Sequence, residues 1–369
     1  GNSIFTRLYA HNGTLYFVTS HPERVPDARY ITSSGGPLSV AGSDPPRPSQ
    51  ADFAVISPEQ ARRRFGRVPV VLSGTSFLIT ENAQFAAHYY HFGAEILLSL
   101  WRTYMSLDPL SPPSGRTSLA PPARIVYPHV PSFSWRDRAH FLPFLLHAAF
   151  PTPPALLFAE DWADLAALAP GYTWVFDRAV LFDRWAAENG PHAGRERKCS
   201  AEAFSLGWAG HFWEPVRRSV LRFARRGALD SGTPSPRPRP SPGPGPGRPV
   251  VTYISRQGTK RRLVEEDHDA LVAALEAGQE SLGYDLRVVR MEDLAKAEQV
   301  ALAAQTTIML GVHGNGLTHL LWMARSPRSA LLEVHYPGAF RVDYEVAAKQ
   351  LGHQYRGFWN DTYVLSSVL

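Results

Sequence analysis

The chain has 369 residues, 44% hydrophobic and 19% charged, with a formal net charge of +5. That length accommodates two ordinary domains, the low charged fraction excludes a coiled coil, and one cysteine, Cys199, excludes an internal disulfide or a multi-cysteine metal site. The basic excess suits an anionic ligand or an arginine-rich surface alike; no zinc-finger spacing, ribonucleoprotein motif or basic heptad helix points to nucleic acid.

In the first half, apolar runs predict strands at 15–19, 68–72, 124–127 and 174–182, and helices at 92–105, 135–150 and 211–226. Proline-rich loops fall at 45–48 and 109–122. Apolar runs such as 141–150 are shorter than the roughly 20 residues that cross a bilayer. A start at Gly1 rather than methionine is expected of a chain trimmed at its amino end, with a membrane anchor ahead of it. Two sequons, Asn12-Gly13-Thr14 and Asn360-Asp361-Thr362, mark Asn12 and Asn360 as candidate glycosylation sites on a secretory route.

The segment 230–249, DSGTPSPRPRPSPGPGPGRP, is expected to be a linker, because alternating prolines oppose both helix and sheet ladders. It divides an amino-terminal domain, 1–229, from a carboxyl-terminal domain, 250–369. After it the pattern alternates: strands at 250–255, 286–290, 307–310, 330–335 and 354–359, helices at 268–277, 294–305, 316–324 and 344–351. Strands alternating with short helices predict βαβ crossovers and a parallel sheet. The last segment has the option of packing back on the first domain.

Three corners of the second half suit a nucleotide, two of them its phosphates and one its ribose. VHGNGLTH, 312–319, leaves a strand and enters a helix, so Gly314, Asn315 and Gly316 offer backbone amides and His313 a ring donor. SRQGTKRR, 255–262, follows another strand, and its Arg256 and Arg261 have forks that match phosphate geometry, with Ser255 alongside. Glu333, in LLEVHY, stands at a strand end where a carboxylate can accept ribose hydroxyls. HGNG also occurs in lipase oxyanion loops, but no G-x-S-x-G elbow accompanies it. The spacing of six between His313 and His319 is poor for zinc. Asp267-His268-Asp269 matches a metal–diphosphate pattern, yet lies in an acidic run that opens a helix and suits its dipole.

In the first half, HYYHFGAE, 88–95, puts His88 and His91 at i, i+3, and His91 and Glu95 at i, i+4, on one helical face. A histidine beside a carboxylate is equipped for general-base work.

HYYHF, SRQGTKRR, GVHGNGLTHLLWM and LLEVHY, in that order, resemble glycosyltransferase family 61. The resemblance implies an α/β fold of GT-B type, two Rossmann-like domains with parallel sheets facing a cleft. It implies an inverting transfer from a UDP-sugar to a glycan, polysaccharide or glycoprotein, with no essential metal and no further cofactor, in the lumen of the Golgi or endoplasmic reticulum. By the same resemblance, Arg256 and Arg261 neutralise the leaving diphosphate, and His313 with the amides of 314–316 assists. Glu333 takes the ribose. The base is expected in the first half, with Glu95 first, then His91 and His88, and Asp177 and Asp183 as further candidates. The donor expected is UDP-xylose, and the alternatives are protein O-linked N-acetylglucosamine transfer or an inactive carbohydrate-binding scaffold. The family usually has a small residue where this chain has Asn315.

Overall fold

The computed structural model describes residues 1–36, 47–65, 68–169, 171–196, 198–206, 210–230, 247–360 and 362–364. Most of the proline-rich linker, 231–246, lies outside the described residues, as do 45–46 of the first proline-rich loop and Asp361 of the second sequon. The chain forms two compact units, Gly1–Val216 and Arg217–Leu369. Their division falls within the helix Glu214–Asp230, ahead of the boundary expected at 229.

In the first unit the described strands are β1 (Asn2–His11), β2 (Thr14–Val18), β3 (Phe53–Ile56), β4 (Val68–Ile79), β5 (Arg124–Val126), β6 (Ala155–Leu157) and β7 (Tyr172–Phe182). They form one sheet in the order β3-β2-β1-β7-β4-β5-β6. The parallel sheet expected here is instead mixed, because β1 runs antiparallel to both β2 and β7. The cause is local. Asn12 and Gly13 have φ of 51° and 75°, and His11 pairs directly with Thr14. Two consecutive left-handed residues make the tight turn whose twist matches a hairpin.

β4 continues past the end expected at 72. Two of its residues, 73 and 74, stand opposite Asp177 alone on β7, a bulge that lets pairing resume at Thr75↔Arg178. Phe5, Leu8, Leu15, Leu78, Phe176 and Leu181, all on its strands, belong to one hydrophobic core cluster of this unit; full burial of each contributes about 1.5–3 kcal/mol.

The second unit holds β8 (Val250–Ile254), β9 (Asp285–Val289), β10 (Ile308–Val312), β11 (Ala330–Val334), β12 (Gln354–Trp359) and β13 (Thr362–Val364). The order is β13-β12-β11-β10-β8-β9, parallel except for β13. Helices Glu265–Leu282, Lys296–Gln305 and Asp343–Leu351 supply crossovers. The segment after β10 is a 3-10 helix, Asn315–Trp322, rather than the α-helix expected at 316–324. The strand expected at 354–359 is β12, with β13 beside it; residues 365–369 lie outside the described residues. Among the described residues no helix is long and apolar enough to cross a membrane.

Candidate active site

In the second sheet the first strand in sequence, β8, lies between β9 and β10. Chain connections therefore diverge between β8 and β10, leaving a crevice at the carboxyl edge where ligands of open α/β sheets bind. Ser255-Arg256 leaves β8 there, and His313-Gly314 leaves β10. Ser255 is buried, its amide bonded to Val289 O. The basic loop folds on itself: Arg256 Nε donates to Arg261 O at 3.2 Å, and Arg262 Nη1 donates to Thr259 O at 3.0 Å. Among the described residues, no protein group accepts from the two terminal nitrogens of Arg256.

That fork lies over Gly314, where a Cβ would stand 1.8 Å from Arg256 Nη1. Gly314 has φ 157° and ψ 174°, a region essentially open only to glycine. Gly316 packs against β8, since a Cβ there would meet Ile254 Cγ2 at 3.0 Å. The amides of Gly314, Asn315 and Gly316 have no acceptor among the described residues, as expected of a helix start. Asn315 Oδ1 accepts from Thr318 Oγ1 at 3.2 Å, so its side chain serves the helix. The side chain of Arg261 stays exposed; only its carbonyl is tied to Arg256.

His313 is fixed from behind. Its Nδ1 lies 2.5 Å from Glu333 Oε1, while Tyr355 Oη donates to Glu333 Oε2 at 2.7 Å. Tyr355 has one hydroxyl hydrogen, so His335 Nε2, 2.9 Å away, is the donor in that contact. Burial raises the carboxyl of Glu333, against the downward pull of His313. Burial also lowers His335 to about 4, leaving it neutral. Glu333, expected at the ribose, is 0% exposed, with one oxygen engaged by His313 and the other by Tyr355.

His313, Glu333 and His335 bring three potential metal-ligand atoms within 4.8 Å of one another. The 2.5 Å contact is that of a hydrogen bond, whereas two ligands about 2.0–2.2 Å from one tetrahedral zinc stand roughly 3.3 Å apart. With Tyr355 joined to two members, the set fits a proton-linked network better than an ion.

In the first unit, β4 and β7 are parallel neighbours that end together at Ile79 and Phe182. Glu81 follows one and Arg184 the other. A π-helix, His91–Leu97, leads from β4 into the helix Leu98–Tyr104; such turns occur often at functional sites. His91 Nδ1 lies 2.7 Å from Glu95 Oε2. Arg184 Nη1 reaches the same oxygen at 2.7 Å, and Lys198 Nζ donates to Glu95 Oε1 at 2.7 Å.

Burial alone would raise the Glu95 carboxyl, but the charges of Arg184 and Lys198 and the hydrogen bond from His91 hold it well below the usual range. Glu95, the first expected base, is 0% exposed, and both of its oxygens are engaged, one of them beside His91. His91 is 25% exposed, and its Nε2 has no protein partner among the described residues. The exposed His88 has its ring centroid 4.8 Å from that of His91.

Asp183 is buried and caps the helix Arg184–Glu188, accepting from Ala186 N, Ser33 and Thr80; that excludes it as the base. Asp177 is exposed within β7. Asp267 and Asp269 are exposed in the first turns of Glu265–Leu282, and His268 meets Tyr253 Oη at 3.0 Å. His319 is buried and lowered to about 3 by burial. Sequence reading missed Glu81, Arg184, Lys198, His335 and Tyr355. For the first two the available signal was a charged residue just beyond an apolar strand.

Sheets with anion-suited and histidine–carboxylate corners at their carboxyl edges are equipment for group transfer. The family model described as Glycosyltransferase 61 matches residues 68–329, and the chain belongs to glycosyltransferase family 61. It is also similar to the EGF domain-specific O-linked N-acetylglucosamine transferase of Drosophila melanogaster, 41% identical over 73 residues. That match covers 20% of this chain and 13% of the relative.

Proposed function

We propose that the protein is an inverting glycosyltransferase that moves a sugar from a UDP-sugar to a hydroxyl of a glycan, polysaccharide or glycoprotein. The observation that carries this reading is the unengaged fork of Arg256 over Gly314, beside three unpaired amides at the sheet's divergence point. Guanidinium and amides together suit a diphosphate whose charge grows as the sugar departs. His313 adds a ring nitrogen steadied by Glu333. In the first unit, His91 Nε2 takes the acceptor's proton while Glu95 supports the resulting imidazolium. The acceptor oxygen attacks the anomeric carbon opposite UDP, so one displacement inverts it.

A fold of GT-B type is part of this proposal, and the charge of the leaving group is met by side chains rather than a metal. The donor proposed is UDP-xylose. A second reading, N-acetylglucosamine transfer to protein, is favoured by the name of the Drosophila relative. The proposed setting is the secretory lumen, with glycosylation at Asn12 and Asn360.

The test measures UDP released from UDP-xylose and UDP-N-acetylglucosamine, each with xylo-oligosaccharides or a folded EGF-like module. Acceptor-dependent release with an inverted product supports the reading. Binding of UDP without turnover of either donor sets it aside in favour of an inactive carbohydrate-binding scaffold.

A further inference from the structure

The first unit contains a buried charge cluster larger than a histidine–carboxylate pair needs. Arg184 is only 4% exposed, yet it lies between two carboxylates that are each 1% exposed at the side chain. Its Nε donates to Glu81 Oε2 at 3.0 Å, and its Nη1 meets Glu95 Oε2 at 2.7 Å. The guanidinium carbon sits 4.1 Å from the ring centroid of Phe85. The same ring meets His91 edge-on at 4.9 Å, so Phe85 packs against both the cation and the imidazole. Cys199 Sγ lies 3.1 Å from Nη1. The fork is therefore held on several sides and cannot turn without breaking more than one contact.

This has a consequence for proton placement on His91. Arginine and lysine only donate, so Arg184 makes Glu95 Oε2 an acceptor and Lys198 makes Oε1 one. A carboxylate accepting at both oxygens leaves His91 Nδ1 as the donor. The proton of neutral His91 then sits on Nδ1, and Nε2 carries the lone pair a base needs.

We propose that Arg184 is a positioning residue for transfer: anchored by Glu81, it fixes Glu95 so that His91 is held in the Nδ1–H form with Nε2 open to the acceptor. This rests on the reading of His91 as the base. Among the described residues, the charged and titratable groups of this cluster include Tyr90, whose ring centroid is 5.2 Å from that of His91, His88 ahead of the π-helix, Glu95 within it, Glu81 after β4, Arg184 and Glu188 on the helix after β7, and Lys198 and Cys199 beyond.

The test labels histidine with 15N in the full chain and compares wild type with Arg184→Gln, Arg184→Lys and Glu81→Gln. The proposal expects the Nδ1–H form for neutral His91 in wild type. Arg184→Gln should move it to a mixture rich in the Nε2–H form, and Arg184→Lys should restore part of the change. Glu81→Gln, nearly isosteric and compared above pH 8, where Glu81 gives up its proton, should act in the same direction and guards against a variant that fails to fold. An Nε2–H tautomer in wild type, or an unchanged tautomer in folded Arg184→Gln and Glu81→Gln, overturns the proposal. His91→Ala, assayed for UDP release from the better donor, separates the two ideas. Full activity there removes the base reading, while the tautomer result still decides the role of Arg184.

Discussion

Replacing Gly314 by alanine tests the proposed diphosphate corner with one methyl group. A Cβ at this position would stand 1.8 Å from Arg256 Nη1 and 2.4 Å from Arg256 Cζ, too near for either group to remain. The backbone conformation of residue 314, φ 157° and ψ 174°, costs a non-glycine residue about 1–3 kcal/mol. Stability should fall by about that amount unless the turn rearranges. In either case the fork of Arg256 leaves the unpaired amides. Losing one charge-assisted hydrogen bond of about 1.5–3 kcal/mol corresponds to roughly 10- to 100-fold weaker binding. Isothermal titration with UDP and with uridine measures this, because uridine lacks the phosphates and should be much less affected. An unchanged dissociation constant for UDP in a folded Gly314→Ala protein would refute the placement of the diphosphate.

His91→Ala and Glu95→Gln should lower kcat about 10²- to 10⁴-fold, the usual contribution of a positioned base, with little change in UDP affinity. Steady-state kinetics and titration read the two effects separately, and a main effect on UDP affinity counts against the base. Burial pushes Glu81 from 4.5 to about 8 despite the adjacent Arg184, so the folded state binds the proton more tightly than the unfolded chain. The associated stability is fully present below pH 4.5 and is lost as pH rises through about 8. Thermal melts of wild type should therefore fall across that window relative to Glu81→Gln, and parallel curves would contradict the shift. Gly13→Ala places a side chain at φ 75° in the β1–β2 turn and should cost about 1–2 kcal/mol by urea unfolding, with no effect on UDP binding.

The second sheet was readable because its inner strands β8 and β10 are apolar runs and helices alternate with its strands, the pattern of strands buried on both faces. The first sheet was harder. β1 has an irregular burial pattern with no clear strand period, although Asn12-Gly13, which overlaps the sequon, is a strong hairpin signal. β4 was ended at Ser73-Gly74, where a bulge continues the strand. Local motifs brought forward His91, Glu95, Arg256, His313 and Glu333. What they lacked was burial. Glu95 and Glu333 both look like available carboxylates in sequence, and both are 0% exposed behind a histidine. The partners that fix them, Arg184 and Tyr355, are distant in the chain and are brought close only by neighbouring parallel strands.

The measurement that bears most directly on the central claim is titration of UDP into wild type and Arg256→Ala, with and without EDTA. The account expects saturable UDP binding in wild type that survives EDTA and weakens about 10- to 100-fold in Arg256→Ala, the loss of a charge-assisted contact. No UDP binding, or equal affinity in the two proteins, would contradict it.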